Sequence, residues 1–186
     1  WREFAAKTGG FARAIAERSQ RRWLLHCEHP LDFIAALLAV LHAGARAVVP
    51  SSFQPGVIDQ LRPACDAVIG ETPQAELKPS QIAPAFFTFA QLDAGQSWID
   101  LYTSGSSGEP KRVEKSLAQL ETEARTLESV WGHLLGQATM VATVPHHHIY
   151  GMLFRLVWPL AAGRPFAHAR GSPRGATKID GSRFIQ

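Results

Sequence analysis

The chain has 186 residues, 46% of them hydrophobic, which is typical of a globular protein rather than a disordered or fibrous one. The formal net charge of +3 comes without a lysine or arginine run, and this excludes nucleic acid as a partner. The most apolar stretch, residues 33–41, is too short to span a bilayer, and no signal sequence opens the chain. We therefore expect a cytoplasmic protein without a membrane span, in which Cys27 and Cys65 are reduced core thiols.

The first seventy residues alternate between strand and helix patterns. The predicted strands are 22–27, 46–50 and 66–69, and the predicted helices are 31–41, ended by Gly44, and 57–61. Alternation at this spacing predicts an α/β fold, with parallel-sheet βαβ layers and helices packed on the sheets. Polar residues 71–83 are typical of a surface connection, and the phenylalanine-rich residues 84–90 favour another strand or the approach to one.

A second block of elements begins near Trp98. We divide the chain into a first α/β subdomain (1–95), a second α/β subdomain carrying the main functional motif (96–170) and a tail (171–186). In the second block, the pattern predicts a strand at 98–102, a long helix opened by a Ser116–Gln119 capping box and a strand at 139–144. Residues 148–160 are predicted to form a mostly buried helix or a turn followed by a helix.

Residues 101–111, Leu-Tyr-Thr-Ser-Gly-Ser-Ser-Gly-Glu-Pro-Lys, form the strongest functional pattern. Glycines expose backbone N–H groups, and together with hydroxyls and one ammonium they can cradle a polyphosphate. A Walker A loop is excluded because the required Gly-Lys-Ser/Thr ending is replaced by Pro110-Lys111-Arg112. A flexible Gly/Ser linker is the alternative. A strand before the loop and a Pro-Lys pair leading into a capped helix favour the phosphate site.

This loop closely resembles the phosphate loop of the adenylate-forming (AMP-binding) enzymes, of the acyl-CoA synthetase and AMP-ligase type. The resemblance spans residues 10–168, the early part of the family pattern, and implies a partial N-terminal domain of such an enzyme. It implies ATP and Mg²⁺ as cofactors and Lys111 as a catalytic residue. The residues implied to hold the nucleotide phosphates are Thr103, Ser104, Gly105, Ser106, Ser107, Gly108 and Lys111. Arg112 stands where the family often has glycine.

A second pattern is Pro-His-His-His-Ile-Tyr-Gly at residues 145–151. Three histidines suggest a metal site, but no Cys, Asp or Glu nearby completes a usual ligand set, so we predict none. The segment resembles the adenylate-forming motif that follows the phosphate loop. That resemblance implies His148 as a catalytic residue at the acyl carboxylate, with Tyr150 and Gly151 in the substrate pocket. The alternative is three partly exposed histidines at a strand end.

The resemblance implies that a carboxylic acid, acyl or aryl, is activated by ATP to an acyl-adenylate with release of pyrophosphate. Transfer to a thiol follows, either of CoA or of the phosphopantetheine arm of an acyl carrier protein. Later family segments that bind adenine and ribose are not found, so we expect a truncated chain. Residues 176–184 resemble a late hinge segment or form a Gly/Arg-rich tail. The alternative function is a non-catalytic binding or interaction module with the same fold.

Overall fold

The computed structural model describes residues 2–104, 110–167 and 176–178, which fall into two compact units. The sheet unit (residues 2–90 and 97–115) contains α1 (Arg2–Ala16), β1 (Arg22–His26), α2 (Pro30–His42), β2 (Arg46–Val49), α3 (Pro55–Leu61), β3 (Ala67–Gly70), β4 (Trp98–Ser104) and nearly all of β5 (Pro110–Ser116). The helical unit (residues 91–96 and 116–186) contains α4 (Leu117–Leu135), α5 (Ile149–Gly151), a π-helical turn (Met152–Val157), α6 (Trp158–Ala161), β6 (Pro165–Ala167) and β7 (Ala176–Lys178). The division at residues 95 and 170 stays a prediction.

The sheet unit is built on a five-stranded sheet in the order β3-β1-β2-β4-β5. β1 pairs in parallel with β2 and β3, and β2 pairs in parallel with β4, which confirms the predicted α/β fold. In this order β2 and β3 lie on either side of β1, so the crossover from β1 to β2 and the crossover from β2 to β3 run in opposite directions across the sheet. Because such crossovers are right-handed, α2 and α3 lie on opposite faces of the sheet.

Successive side chains of each strand point to opposite faces of the sheet, and both faces carry an apolar core. Leu24, Val48 and Val68 form one buried cluster with Leu61 of α3 and with Cys65. Neighbouring strand residues such as Trp23 and Ile69 are also fully buried and point to the opposite face. Strands buried on both faces therefore show continuous apolar runs rather than alternation, which is typical of parallel sheets.

Both cysteines are buried thiols outside any disulfide, as predicted. Burial raises the pKa of the Cys65 thiol to about 11 and raises the pKa of Cys27 further. A thiol reacts mainly as its thiolate, so both are inert at neutral pH.

The predicted strand at residues 84–90 is wrong, because this segment packs along α1 as irregular chain. The Ala85 N–H donates to the Ala6 carbonyl at 2.9 Å. A Cβ on Gly9 would overlap the Ala85 carbonyl oxygen, and one on Gly10 would overlap that of Ala83, so only glycine allows this approach. Phe87 lies beside Gly9 of α1 and Phe89 against His42 of α2, whereas Phe86 is 95% exposed.

His42 at the end of α2 makes the sheet unit sensitive to pH. Its imidazole packs at a tilt against the Phe89 ring, with 4.6 Å between the ring centroids. Burial lowers the pKa of His42 to about 4, against a smaller opposing effect of a backbone hydrogen bond at Ala90. The unfolded chain binds the proton first as the pH falls from 6.5 to 4, so the free energy of unfolding is expected to decrease over that range. Urea unfolding at several pH values should show a shallower decrease for His42→Gln. An unchanged slope would contradict this assignment.

The helical unit packs α4 against the helical segment that runs from α5 to α6. Ser116 and Gln119 form the predicted capping box, in which each side chain bonds the backbone N–H of the other residue. Leu120 of α4 and Met152 and Phe166 are fully buried in this unit. The predicted helices at 117–134 and 148–160 are therefore confirmed.

The predicted strand at 139–144 is wrong: only Met140 makes an isolated bridge, to Phe166 of β6. Arg164 links the segment after α6 to the C-terminal part of α4. Its guanidinium donates to both carboxylate oxygens of Glu128, at 2.6 and 2.8 Å, and to the carbonyls of Gly132 and Gly136 near the end of α4. A cation at a helix C-terminus satisfies carbonyls that lack helical partners.

Candidate functional site

The predicted phosphate loop connects two strands of the sheet unit. β4 ends at Ser104 and β5 starts at Pro110, so the prediction that the Pro-Lys pair leads into a helix is wrong. α4 starts only at Leu117, one β-strand later. β5 carries a single apolar side chain, Val113, and therefore gives no strand signal in the sequence. It forms a strand because it pairs with β4 in the folded sheet.

Two of the predicted phosphate-binding residues are fully described, one on each strand. Thr103 of β4 is partly buried, and its hydroxyl donates to the Lys111 carbonyl of β5 at 3.4 Å. The Lys111 side chain is exposed. Outside the described residues lie Gly105, Ser106, Ser107 and Gly108, together with the side chain of Ser104. The role of all these residues in phosphate binding stays a prediction.

The structure reveals a group of charges that the sequence patterns did not predict. We call it the arginine–carboxylate cluster, and it consists of Arg22 (β1), Arg46 (β2), Asp100 (β4), and Arg112 and Glu114 (β5). The Asp100 side chain has no exposed surface, and its oxygens accept from Arg22 at 2.8 Å and from Arg46 at 2.6 Å. The signal for it was a lone Asp between Ile99 and Leu101 in an apolar strand.

Arg46 is the branch point of this cluster. The same Nη1 atom that donates to Asp100 also donates to Glu114 at 2.5 Å, and its guanidinium lies 5.7 Å from the Trp98 ring centroid. Burial lowers the pKa of Arg46, but its hydrogen bonds to the two carboxylates outweigh this and raise the pKa overall. Arg112 completes the group, 3.2 Å from Glu114 and 3.8 Å from Asp100.

The histidine segment forms a turn that opens a helix. His146 is buried, His147 partly buried and His148 exposed, with centroids of successive rings 5.7 and 6.0 Å apart. The alternative of three partly exposed histidines at a strand end is therefore wrong, because His146 is buried and no strand precedes it among residues 141–145. The His148 carbonyl accepts from Met152 N at 2.7 Å in the first helical turn, and Tyr150 is 67% exposed. The acyl-site roles of His148 and Tyr150 stay predictions.

Gly151 has a packing role in the described structure, and its predicted contact with substrate stays a prediction. A Cβ there would overlap the Pro145 carbonyl oxygen, because the turn folds back onto the helix. We expect Gly151→Ala to lower the free energy of unfolding by about 1–3 kcal/mol through this overlap. Gly56→Ala on α3 is the matched control, since a Cβ there meets no atom within 4 Å and alanine favours a helix. Urea unfolding of both variants measures the difference, and equal stabilities would contradict the packing role.

An apolar groove of about 370 Å³ lies within the helical unit. Its lining residues are Trp131, Leu135, Ala138, Thr139, Met140, Val141, Phe154 and Trp158. Neither His148 nor Tyr150 contributes to it. The groove offers an apolar surface of the size that a small hydrocarbon group fills.

Comparison with known proteins identifies the family. A model of the AMP-binding enzyme family matches residues 57–180. The chain belongs to this family. The predicted resemblance to adenylate-forming enzymes is confirmed, since the match includes both the phosphate loop and the histidine segment.

Two curated relatives of this AMP-binding chain are ligases. The medium-chain-fatty-acid–[acyl-carrier-protein] ligase JamA of Moorena producens (strain JHB) is 27% identical over 196 residues, which cover 83% of this chain and 32% of JamA. The 4-coumarate–CoA ligase of Halorhodospira halophila is 34% identical over 83 residues, which cover 44% of this chain and 20% of that ligase. The chain thus matches about a third or less of the length of these relatives.

Solved structures share the fold. ATP-bound MatB from Rhodopseudomonas palustris aligns with a TM-score of 0.74 and 17% identity over 92% of this chain and 40% of MatB. MenE from Bacillus subtilis, in complex with ATP and a magnesium ion, aligns with a TM-score of 0.69 and 17% identity over 91% of this chain and 50% of MenE. The α/β fold of this chain is therefore that of adenylate-forming enzymes.

Two further features bear on ligands and location. Within residues 2–104, 110–167 and 176–178, no three His, Cys, Asp or Glu side chains form a group that could hold a metal ion. Across those same ranges, every helix is too short or too polar to cross a membrane.

Proposed function

We propose that the protein containing this chain is an ATP-dependent acid–thiol ligase. The carboxylate oxygen of an acyl or aryl acid attacks the α-phosphorus of ATP, the bond to the bridging oxygen breaks, and pyrophosphate leaves with the bonding electrons. The product is an acyl-adenylate. Membership of the AMP-binding family supports this reaction, as do the ligase activities named for its relatives.

The observation that carries the proposal is the meeting of Thr103 and Lys111 at the two ends of the glycine- and serine-rich segment. The hydrogen bond from the Thr103 hydroxyl to the Lys111 carbonyl brings β4 and β5 together where that segment leaves and rejoins the sheet. An exposed ammonium at this place is able to meet the negative charge that grows on the departing pyrophosphate. We assign Lys111 to that role, with Thr103 beside it and residues 104–108 completing the cradle.

Thr103 and Lys111 would not bind Mg²⁺ directly, and the ion would be held by the phosphates of the bound nucleotide. Thr103 and Lys111 supply a hydroxyl and a cation, and Mg²⁺ commonly binds proteins through substrate phosphates rather than through a cage of side chains. When bound, the ion would neutralise charge on the phosphate oxygens. The task of Lys111 is then to hold the β- and γ-phosphates in place as the bond breaks.

The second half of the proposed reaction passes the acyl group to a thiol. JamA is named for an acyl carrier protein and the Halorhodospira enzyme for CoA, so these two relatives support both acceptors. We place the carboxylate of the acid near His148 and Tyr150, as the motif implies. The apolar groove beside Trp131 and Phe154 is a candidate surface for its hydrocarbon part.

The test is carboxylate-dependent exchange of labelled pyrophosphate into ATP, measured on the natural full-length protein with a panel of fatty and aromatic acids. Exchange that appears only with an acid supports the proposal. Absence of exchange with every acid, although ATP binds, would instead favour a non-catalytic module that has kept the fold. Exchange that is the same with and without an acid would contradict the proposed activation of a carboxylate.

A further inference from the structure

The edge strand β5 carries Lys111 and yet has almost no apolar anchor. In the sheet order β3-β1-β2-β4-β5, among the strands that the structure describes, it pairs with β4 on one side only. Ser116 is its only buried residue, and Lys111, Arg112 and Glu114 are all exposed. Packing therefore does little to fix this strand, although a phosphate-binding lysine needs a fixed base.

The arginine–carboxylate cluster supplies the missing attachment. Arg46 of β2 donates from one nitrogen to Asp100 of β4 and to Glu114 of β5, at 2.6 and 2.5 Å. Arg112 adds a second link from β5 to Asp100, at 3.8 Å. Because Asp100 is fully buried, its charge is paired within the sheet rather than solvated, and such pairs have defined geometry.

Strand geometry separates this cluster from the phosphate site. Arg112 and Glu114 are two residues apart and share one face of β5, whereas Lys111 lies at the alternate position and points to the other face. Glu114 therefore has no direct route to a phosphate bound by Lys111. Any effect of Glu114 on phosphate binding passes through the position of the strand.

We propose that the arginine–carboxylate cluster positions Lys111 by fixing β5 against β2 and β4, so that Asp100 and Glu114 are positioning residues of the phosphate site. This inference rests on the proposed function, in which Lys111 binds pyrophosphate. The same proposal explains the arginine at position 112, where the family often has glycine, because the Arg112 guanidinium contacts both carboxylates of the cluster.

The test is a double-mutant cycle on the natural full-length protein, with the dissociation constant for magnesium pyrophosphate measured by titration calorimetry. Glu114→Ala is expected to raise this constant about fivefold, a coupling typical of residues that act through one structural unit. In a Lys111→Ala background the same change is expected to raise it less than about 1.5-fold, because the positioned group is gone. Glu114→Gln, which keeps an acceptor oxygen for Arg46, is expected to be intermediate.

Glu17→Ala is the matched control, because it removes a carboxylate whose ion pair with Arg13 on α1 is 3.9 Å long and exposed on both sides. The inference is overturned if Glu114→Ala binds like this control, or if it weakens binding fivefold with and without Lys111. If Lys111→Ala alone leaves the dissociation constant unchanged, the proposed role of Lys111 fails first. Urea unfolding of each variant confirms that the protein measured is folded.

Discussion

Replacing Lys111 by alanine is expected to reduce carboxylate-dependent ATP–pyrophosphate exchange by about 100-fold or more. Charge grows on the β- and γ-phosphates as the bond to the α-phosphorus breaks, and a placed cation stabilises that charge more than it stabilises bound ATP. Removing one such donor costs about 10²–10³ in rate in enzymes that use preorganised donors. The measurement is the initial exchange rate at saturating ATP and acid.

Lys115→Ala is the control for this experiment. It removes an equal charge from the same strand, four residues further along β5. We expect it to keep exchange within about threefold of the unmodified protein, since a charge not aimed at the reacting group contributes mainly long-range attraction. Equal losses in the two variants would mean that the general positive charge of β5 matters and that Lys111 has no special role.

Asp100→Asn is expected to lower the free energy of unfolding by about 3–5 kcal/mol. The side chain of Asp100 is fully buried and accepts from both Arg22 and Arg46. Asparagine has nearly the same shape but no charge, so the guanidinium groups would keep their desolvation cost and lose their main counterion. Breaking one partner out of a buried ion pair has this magnitude. The measurement is urea unfolding at neutral pH.

The corresponding control is Glu17→Gln, one residue after the end of α1. Its ion pair with Arg13 leaves the two side chains 67% and 72% exposed, and such pairs are worth less than about 1 kcal/mol. If Asp100→Asn costs no more than this control, the arginine–carboxylate cluster does not hold the sheet together. The positioning of β5 would then need another explanation.

The elements that sequence reasoning located correctly are those with a local signal. α2 combines a continuous apolar run with glycine beyond its end, and α4 begins at a capping box, so both could be predicted from neighbouring residues. β5 could not, because its seven residues are mostly charged and form a strand only beside β4. Residues 84–90 failed in the opposite way. Their phenylalanines are typical of a strand. The backbone instead packs closely on Gly9 and Gly10 of α1, more than seventy residues earlier in the chain.

The residues of the candidate site also differ in whether neighbouring residues in the sequence predict them. Thr103 and Lys111 were predicted from a contiguous motif, and in the structure the Thr103 hydroxyl donates to the Lys111 carbonyl. The arginine–carboxylate cluster was missed because its members lie far apart in sequence: 54 residues separate Arg46 from Asp100, and 68 separate it from Glu114. Only the parallel register of β1, β2 and β4 brings them together. A charged residue inside an apolar strand, as at Asp100, is the one local trace of such a cluster.

The acyl-adenylate is the defining product of the proposed reaction. The direct measurement is mass spectrometry of the products after the natural full-length protein is mixed with ATP, Mg²⁺ and a carboxylic acid, without any thiol. We expect an acyl-adenylate and pyrophosphate in equal amounts, both strongly reduced in Lys111→Ala. Formation of ADP and phosphate would contradict the proposed function, because it would mean cleavage at the γ-phosphate rather than attack at the α-phosphorus.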